Sequence, residues 1–155
     1  MRIDIPGRAP LQIENIVFDF NGTLATGGEL DAGVREHLDE LGHYVKVTIL
    51  TADTFGSVEK SFSGMDIKLV LLEGQATGEQ KAEFVRSLGA QTTVAVGNGT
   101  NDEQMLRESV IGIAVLGGEG CASAAMFAAD LIVTDIRDAI QLFLDPTRII
   151  AGLRK

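Results

Sequence analysis

Short apolar runs rich in β-branched residues recur along the chain, and segments of helical periodicity lie between them. Near-continuous apolar runs that end at turn residues are typical of strands buried on both faces. Strands that alternate with helices favour an α/β, three-layer, Rossmann-like fold, in which a central, mostly parallel sheet lies between helices. The pattern predicts six strands, at residues 13–20, 45–50, 67–72, 93–96, 111–115 and 131–133.

The intervening segments carry helix signals. Gly42 is placed to cap the first helix, and Thr77 opens a capping-box sequence at the start of the second. Residues 1–12 are predicted to form an irregular arm or an edge strand of a single domain, 1–155. Helices are predicted at residues 30–41, 77–88, 121–129, 136–144 and 147–153.

Composition narrows the classes of function. Of 155 residues, 45% are hydrophobic and 23% are charged, which is typical of a globular protein. Acidic residues outnumber basic ones by 22 to 13, and a net charge of −9 argues against binding to nucleic acid or an anionic membrane. A single cysteine excludes an internal disulfide, and neither a membrane span nor a signal peptide is evident, so we expect a cytoplasmic protein.

Polar residues cluster where three predicted strands end. The first strand runs into Asp19-Phe20-Asn21-Gly22-Thr23-Leu24, the second ends at Thr51, and the fourth runs into Gly97-Asn98-Gly99-Thr100-Asn101-Asp102. Lys81 lies near the start of a predicted helix. Because ligands of such sheets bind beyond the carboxyl ends of the strands, we expect these side chains to converge there.

The residue types in this set favour one chemistry. A carboxylate near a lysine and a cation is held ionised and can attack an electrophile. Mg²⁺ prefers a few protein oxygens, completed by phosphate and water, and glycines let backbone amides approach an anion closely. The set therefore indicates Mg²⁺-assisted phosphoryl transfer to an aspartate.

The segment from Asp19 to Leu24 resembles the D-x-D-G-T-L nucleophile motif of the haloacid dehalogenase (HAD) superfamily, and the D-K-T-G-T signature of P-type ATPases. Thr51-Ala52-Asp53 is similar to the second motif of the family, Lys81 to the third, and the segment from Gly97 to Asp102 to the fourth, G-D-G-x-N-D. The resemblance spans roughly residues 13–135 and is greatest to a small, soluble, P-type-ATPase-like branch.

This resemblance implies a role for each matching residue. Asp19 would be the nucleophile that forms an aspartyl-phosphate, Thr51 would hydrogen-bond a phosphoryl oxygen, and Lys81 would neutralise charge. Gly22, Thr23 and Ala52 would contact the substrate, and Thr23 would also brace the turn after the nucleophile. Mg²⁺ would be held by Asp19, Asn21, Asn98 and Asp102.

Two residues depart from the family pattern. Asn21 stands where the family has its acid/base aspartate, and an amide cannot transfer a proton as a carboxylate can. Asn98 stands where the family has a metal carboxylate, so Mg²⁺ should bind more weakly. We therefore expect a phosphatase that is slow or prefers good leaving groups. The alternative is a catalytically weakened HAD fold that serves as a binding or regulatory protein.

Two assignments have alternatives. Lys68 is the second choice for the third-motif lysine, and Asp53 is either a site residue or, as we favour, a helix N-cap.

Only 31 residues separate Asp19 from Thr51, and 29 separate Thr51 from Lys81, so neither common HAD cap domain fits. An open site suits a phosphorylated small molecule, a phosphorylated protein or a neighbouring subunit, and a homo-oligomer is one possibility.

Overall fold

A six-stranded sheet, parallel throughout, forms the centre of the computed structural model. The structure describes residues 1–52, 55–74 and 76–155, excluding the side chains of residues 55–57. In chain order the strands are β1 (Arg2–Ile3), β2 (Leu11–Gln12), β3 (Asn15–Asp19), β4 (Ala25–Thr26), β5 (Glu29–Leu30), β6 (Lys46–Thr51), β7 (Lys68–Leu71), β8 (Thr93–Gly97), β9 (Ile111–Val115) and β10 (Leu131–Val133).

The order of strands in the central sheet is β10-β9-β8-β3-β6-β7. The chain therefore builds outward from β3 through β6 to β7, then crosses back to β8 on the other side of β3. A parallel sheet leaves a crevice at such a reversal point, beyond the carboxyl ends of the two strands concerned. The fold consequently places the ends of β3 and β8 together as the expected ligand site.

Helices cover both faces of this sheet, which confirms the predicted three-layer α/β fold. They are α1 (Val34–Gly42), α2 (Phe55–Ser61), α3 (Gly78–Leu88), α4 (Glu103–Glu108), α5 (Ser123–Ala128), α6 (Ile136–Leu144) and α7 (Pro146–Leu153).

Alternate residues of β3 supply the two cores, because successive side chains of a strand point to opposite faces. Phe18 packs in one core with α1, α6 and α7, whereas Val17 packs in the other with α3, α4 and α5. The apolar residues of α6 and α7, Phe143 and Ile149 among them, are buried in the first core. These helices therefore cover a face of the chain's own sheet.

Four segments differ from the sequence-based expectation. Helix α1 begins at Val34 rather than Leu30, because the preceding residues form a β4–β5 hairpin whose turn residues have positive φ angles. The expected cap at Gly42 is wrong, since the helix runs through this residue to a C-cap at His43. The N-terminal arm pairs with itself as a β1–β2 ribbon, and α4 was not anticipated.

The helices in the described ranges are too short or too polar to cross a lipid bilayer.

Candidate active site

The carboxyl edge of the sheet brings the predicted motifs together. Asp19 is the last residue of β3, and the parallel register pairs it with Leu50, so Thr51 lies one residue further along the neighbouring strand. On the other side of β3, strand β8 ends at Gly97, and Asn98 follows it directly. Three motifs therefore meet at one edge.

Lys81 lies between the two carboxylates of the site. Its Nζ atom is 2.6 Å from Oδ1 of Asp19 and 2.6 Å from Oδ1 of Asp102. The Lys81 side chain is only 1% exposed, because the predicted capping box at Thr77 starts α3 where Lys81 faces the sheet. A buried ammonium with two carboxylate partners is held in one position and stays charged.

Asp102 is fully buried, and both of its carboxylate oxygens are engaged. Oδ1 accepts from Lys81, and Oδ2 accepts from the backbone amides of Asn98 and Gly99 at 2.9 and 2.8 Å. A side chain at Gly97 would meet the Asp102 carboxyl group, since a Cβ atom there would lie 2.5 Å from Cγ. Gly97 is thus required for the packing of Asp102.

Burial and neighbouring charges shift two pKa values at the site. Burial, reinforced by the negative charge of Asp102, raises the pKa of Asp19 to about 7, although the charge and hydrogen bond of Lys81 act in the opposite direction. Burial alone would lower the pKa of Lys81, but the charges and hydrogen bonds of Asp102 and Asp19 outweigh it and raise that pKa. Lys81 is therefore a permanent positive charge beside the carboxylate of Asp19.

The loop after β3 turns sharply beside Asn98. Gly22 has φ +78°, and a Cβ atom there would lie 2.5 Å from Nδ2 of the Asn98 side chain, so only glycine fits. Thr23 is buried, and its hydroxyl donates to Oδ1 of Asn98 at 3.0 Å. Asn21 is exposed at the start of this turn. Steric packing against Asn98 thus explains why a glycine follows Asn21.

The remaining predicted residues differ in their exposure. Thr51 is buried at the end of β6, and Ala52 follows it on the surface. Lys68, the second choice for the lysine, is exposed at the start of β7, and its Nζ atom is 5.6 Å from the centre of the Phe84 ring. Asp53 lies outside the described residues. The geometry thus favours Lys81 over Lys68 as the site lysine.

One part of the site was not anticipated from sequence. The glycine-rich segment from Gly117 to Gly120 contacts the site directly. Its Gly120 carbonyl accepts from Nδ2 of Asn98 at 3.0 Å. No local signal reveals this contact, since the two residues belong to different loops.

The residues that could hold a divalent cation are hard oxygen donors. Within the described ranges, no three His, Cys, Asp or Glu side chains group as a metal site. Asp19 is the only one of the two site carboxylates that reaches the surface, with its side chain 11% exposed. A single carboxylate with neutral oxygens from Asn21 and Asn98 fits Mg²⁺, which commonly binds one or two carboxylates and completes its shell with phosphate and water.

Comparison with known proteins agrees with this architecture. No known family profile matches the sequence. The chain is 32% identical over 123 residues to a probable copper-exporting P-type ATPase of Archaeoglobus fulgidus, covering 77% of this chain and 15% of that protein. It is 27% identical over 137 residues to a soluble P-type ATPase-like phosphatase of Methanocaldococcus jannaschii, covering 85% of this chain. The chain spans 50% of the length of that relative.

The fold is also found among solved structures. The chain aligns with 3-deoxy-D-manno-octulosonate 8-phosphate phosphatase of Moraxella catarrhalis, solved with magnesium and phosphate, at a TM-score of 0.66 and 17% identity. The alignment covers 92% of this chain and 94% of that one. The chain therefore shares its fold with phosphatases of the haloacid dehalogenase class, and its sequence is similar to those of a P-type ATPase and of a soluble P-type-ATPase-like phosphatase.

Proposed function

We propose that the chain is a Mg²⁺-dependent phosphohydrolase that acts through an aspartyl-phosphate on Asp19. The observation that carries this proposal is the buried Lys81 ammonium, 2.6 Å from both Asp19 and Asp102 at the carboxyl edge of the sheet. The P-type-ATPase-like phosphatase relative and the phosphatase neighbour support the same class of reaction.

The first half of the reaction is nucleophilic. An oxygen of the Asp19 carboxylate forms a bond to phosphorus, and the bond from phosphorus to the leaving oxygen breaks with its electron pair on the leaving group. Lys81 offsets the negative charge that collects on the phosphoryl oxygens. The Thr51 hydroxyl and the backbone around Gly22 and Ala52 would contact the phosphoryl group, whereas the Thr23 hydroxyl already donates to Asn98 and braces the loop.

The second half releases phosphate. A water oxygen bonds to phosphorus, and the bond from phosphorus to the Asp19 oxygen breaks, so that the carboxylate is regenerated. The water proton passes to solvent or phosphate, since Asn21 offers no carboxylate to accept it. We therefore propose slow turnover and a preference for good leaving groups, such as acyl phosphates.

The metal would be held by the carboxylate of Asp19, the backbone carbonyl of Asn21 and the side-chain oxygen of Asn98. Mg²⁺ bound there supplies positive charge that keeps Asp19 ionised and neutralises the phosphoryl oxygens. Asp102 is fully buried and both of its oxygens accept hydrogen bonds, so we assign it to positioning Lys81 and the Asn98 loop. Asn98 is half-buried, and its Oδ1 atom, which accepts from Thr23, has a second lone pair for a cation.

Turnover of acetyl phosphate and p-nitrophenyl phosphate, with and without Mg²⁺, tests the proposal. We expect Mg²⁺-dependent release of phosphate, faster for acetyl phosphate, and its loss in Asp19→Asn. Asp39→Asn is the matched control, because Asp39 is an exposed acid on α1 and should leave turnover unchanged. Absence of turnover together with absence of beryllofluoride binding at Asp19 would favour a binding or regulatory role instead.

A further inference from the structure

Asn98 joins the active site to the segment from Gly117 to Gly120, termed here the glycine loop. Its backbone carbonyl accepts from the amide of Ala122 at 2.8 Å, and its Nδ2 atom donates to the carbonyl of Gly120 at 3.0 Å. Its Oδ1 atom accepts from the Thr23 hydroxyl at 3.0 Å. Both ends of the side-chain amide are therefore used, one toward each loop.

The glycine loop in turn holds the β4–β5 hairpin. Oε1 of Glu119 accepts from the backbone amide of Gly27, at the tip of the hairpin, at 2.7 Å. Gly118 lies against Thr26, where a Cβ atom would come within 3.0 Å of Cγ2. Hydrogen bonds thus run from Asn98 through the glycine loop to the hairpin.

The donor half of Asn98 is the part that an aspartate could not replace. A carboxylate is only an acceptor, and at position 98 it would face the carbonyl oxygen of Gly120 with no proton between them. The carboxylate oxygen and the Gly120 carbonyl oxygen would then face each other as two acceptors. This arrangement costs more free energy than the loss of the hydrogen bond alone. This gives a physical reason for an amide where the family has a metal carboxylate.

We propose that Asn98 is a positioning residue whose side-chain amide fixes the glycine loop and, through Glu119, the β4–β5 hairpin as a rim beside the open active site. The part of this proposal that concerns substrate rests on the proposed phosphatase function. In that reaction the ordered rim would help to enclose the phosphorylated substrate beside Asp19.

Amide hydrogen exchange by NMR tests the rim without any need for activity. In Asn98→Asp, the amides of Ala122 and of the distant Gly27 should exchange about five- to tenfold faster, the factor expected from losing about 1 kcal/mol of hydrogen bonding. Asn101→Asp is the matched control. Asn101 donates to the carbonyl of Ala76 at 3.2 Å, outside the rim, so the same chemical change there should leave Gly27 unaffected.

Two variants of Glu119 test the outer bond and do not alter the motif residues. Glu119→Ala should speed exchange at Gly27 to the same extent, whereas Glu119→Gln keeps an acceptor oxygen and should restore protection. Both variants remove the same charge, so their comparison isolates the hydrogen bond to Gly27. With acetyl phosphate, the KM of Glu119→Ala should be severalfold higher than that of Glu119→Gln, with kcat within about twofold.

The outcomes separate the two proposals. If the amide exchange rate of Gly27 is unchanged in Asn98→Asp, or rises equally in Asn101→Asp, the proposed positioning role of Asn98 is overturned. Absence of turnover in every variant would contradict only the phosphatase function, because the exchange measurement does not depend on it. An increase in KM in Glu119→Gln equal to that in Glu119→Ala would overturn the role of the rim in substrate entry.

Discussion

Lys81 is the residue on which the charge balance of the site depends. It is the only cation in direct contact with Asp19 and Asp102 among the ion pairs of the described residues, and all three groups are largely buried. Removing one partner of a buried ion pair is far more costly than never having formed it. The site therefore couples stability and chemistry through a single side chain.

We predict that Lys81→Met destabilises the fold and inactivates the site. Methionine keeps most of the apolar stem but leaves two buried carboxylates without a cation, which should cost about 3–5 kcal/mol of unfolding free energy. Phosphatase turnover should fall by about 10²- to 10³-fold. Urea unfolding and acetyl phosphate turnover measure the two effects.

Lys68→Met is the matched control, since Lys68 is exposed on an edge strand. It should leave both quantities within error. A Lys81→Met protein as stable as its parent would contradict the ion-pair geometry.

Asn21→Asp should create the missing acid/base group. Asn21 is exposed at the mouth of the site, so a carboxylate there can exchange protons with solvent and with a leaving group. General acid–base catalysis is typically worth about 10²- to 10⁴-fold, and poor leaving groups depend on it most. The gain should therefore be largest for glycerol phosphate and smallest for acetyl phosphate.

The double variant Asp19→Asn, Asn21→Asp is the control for contamination and should be inactive with both substrates. An identical gain for the two substrates would argue that the new carboxylate acts on metal binding rather than on proton transfer.

Motif spacing predicts which residues meet, but not how they bond. Lys81 could be chosen over Lys68 from order and position, because a helix start beside a parallel sheet lies near its carboxyl edge. The sequence does not predict that both Asp102 oxygens accept hydrogen bonds or that Asn98 contacts Gly120. Each of these contacts depends on the path of a neighbouring loop. Gly97 and Gly22 were expected near phosphate, and the structure gives packing against Asp102 and Asn98 as their steric requirement.

At the scale of elements, length decides what the sequence reveals. The buried strands carry unbroken apolar runs and were located to within a few residues. The strands of the β4–β5 hairpin are two residues each, too short for an alternating pattern. Helix α4 has six residues and three acidic or basic side chains, so its apolar pair, Met105 and Leu106, gives little periodicity.

Helix α6 offers a test of element stability away from the site. Asp135 is its N-cap, accepting from the backbone amide of Arg137 at 2.8 Å. Hydrogen bonding with Arg137 lowers the pKa of Asp135 to about 2, although burial acts in the opposite direction. A lowered folded-state pKa means that this carboxylate stabilises the fold above pH 4 and ceases to do so as the pH falls toward 2.

Asp135→Ala should therefore lower the unfolding free energy by about 1 kcal/mol at pH 7, the usual value of an N-cap. Asp135→Asn retains a cap oxygen but not the charge, so its smaller deficit should disappear between pH 4 and pH 2. Urea midpoints across that range measure both. A deficit of Asp135→Asn that grows as the pH falls would contradict the assigned pKa direction.

At the scale of the whole molecule, the charge of −9 opposes an anionic substrate. Within the described part of the chain, buried Lys81 is the cation that contacts the reacting carboxylate of Asp19, and the proposed metal would add further positive charge. Screening acts on exposed charges beyond about 10 Å at 0.1 M salt and far less on buried pairs. Salt should therefore weaken the repulsion more than it weakens the local attraction.

We predict that the KM for acetyl phosphate falls at least twofold between about 20 and 200 mM NaCl at fixed free Mg²⁺, whereas kcat stays constant. Initial rates in NaCl and in KCl separate screening from a specific ion effect. Glu29→Gln removes one exposed charge from the β4–β5 hairpin and should flatten the dependence, because fewer negative charges remain near the entrance. A KM that rises with salt would contradict this prediction. It would mean that the entrance attracts the substrate and that repulsion by the acidic surface does not govern its binding near Asp19.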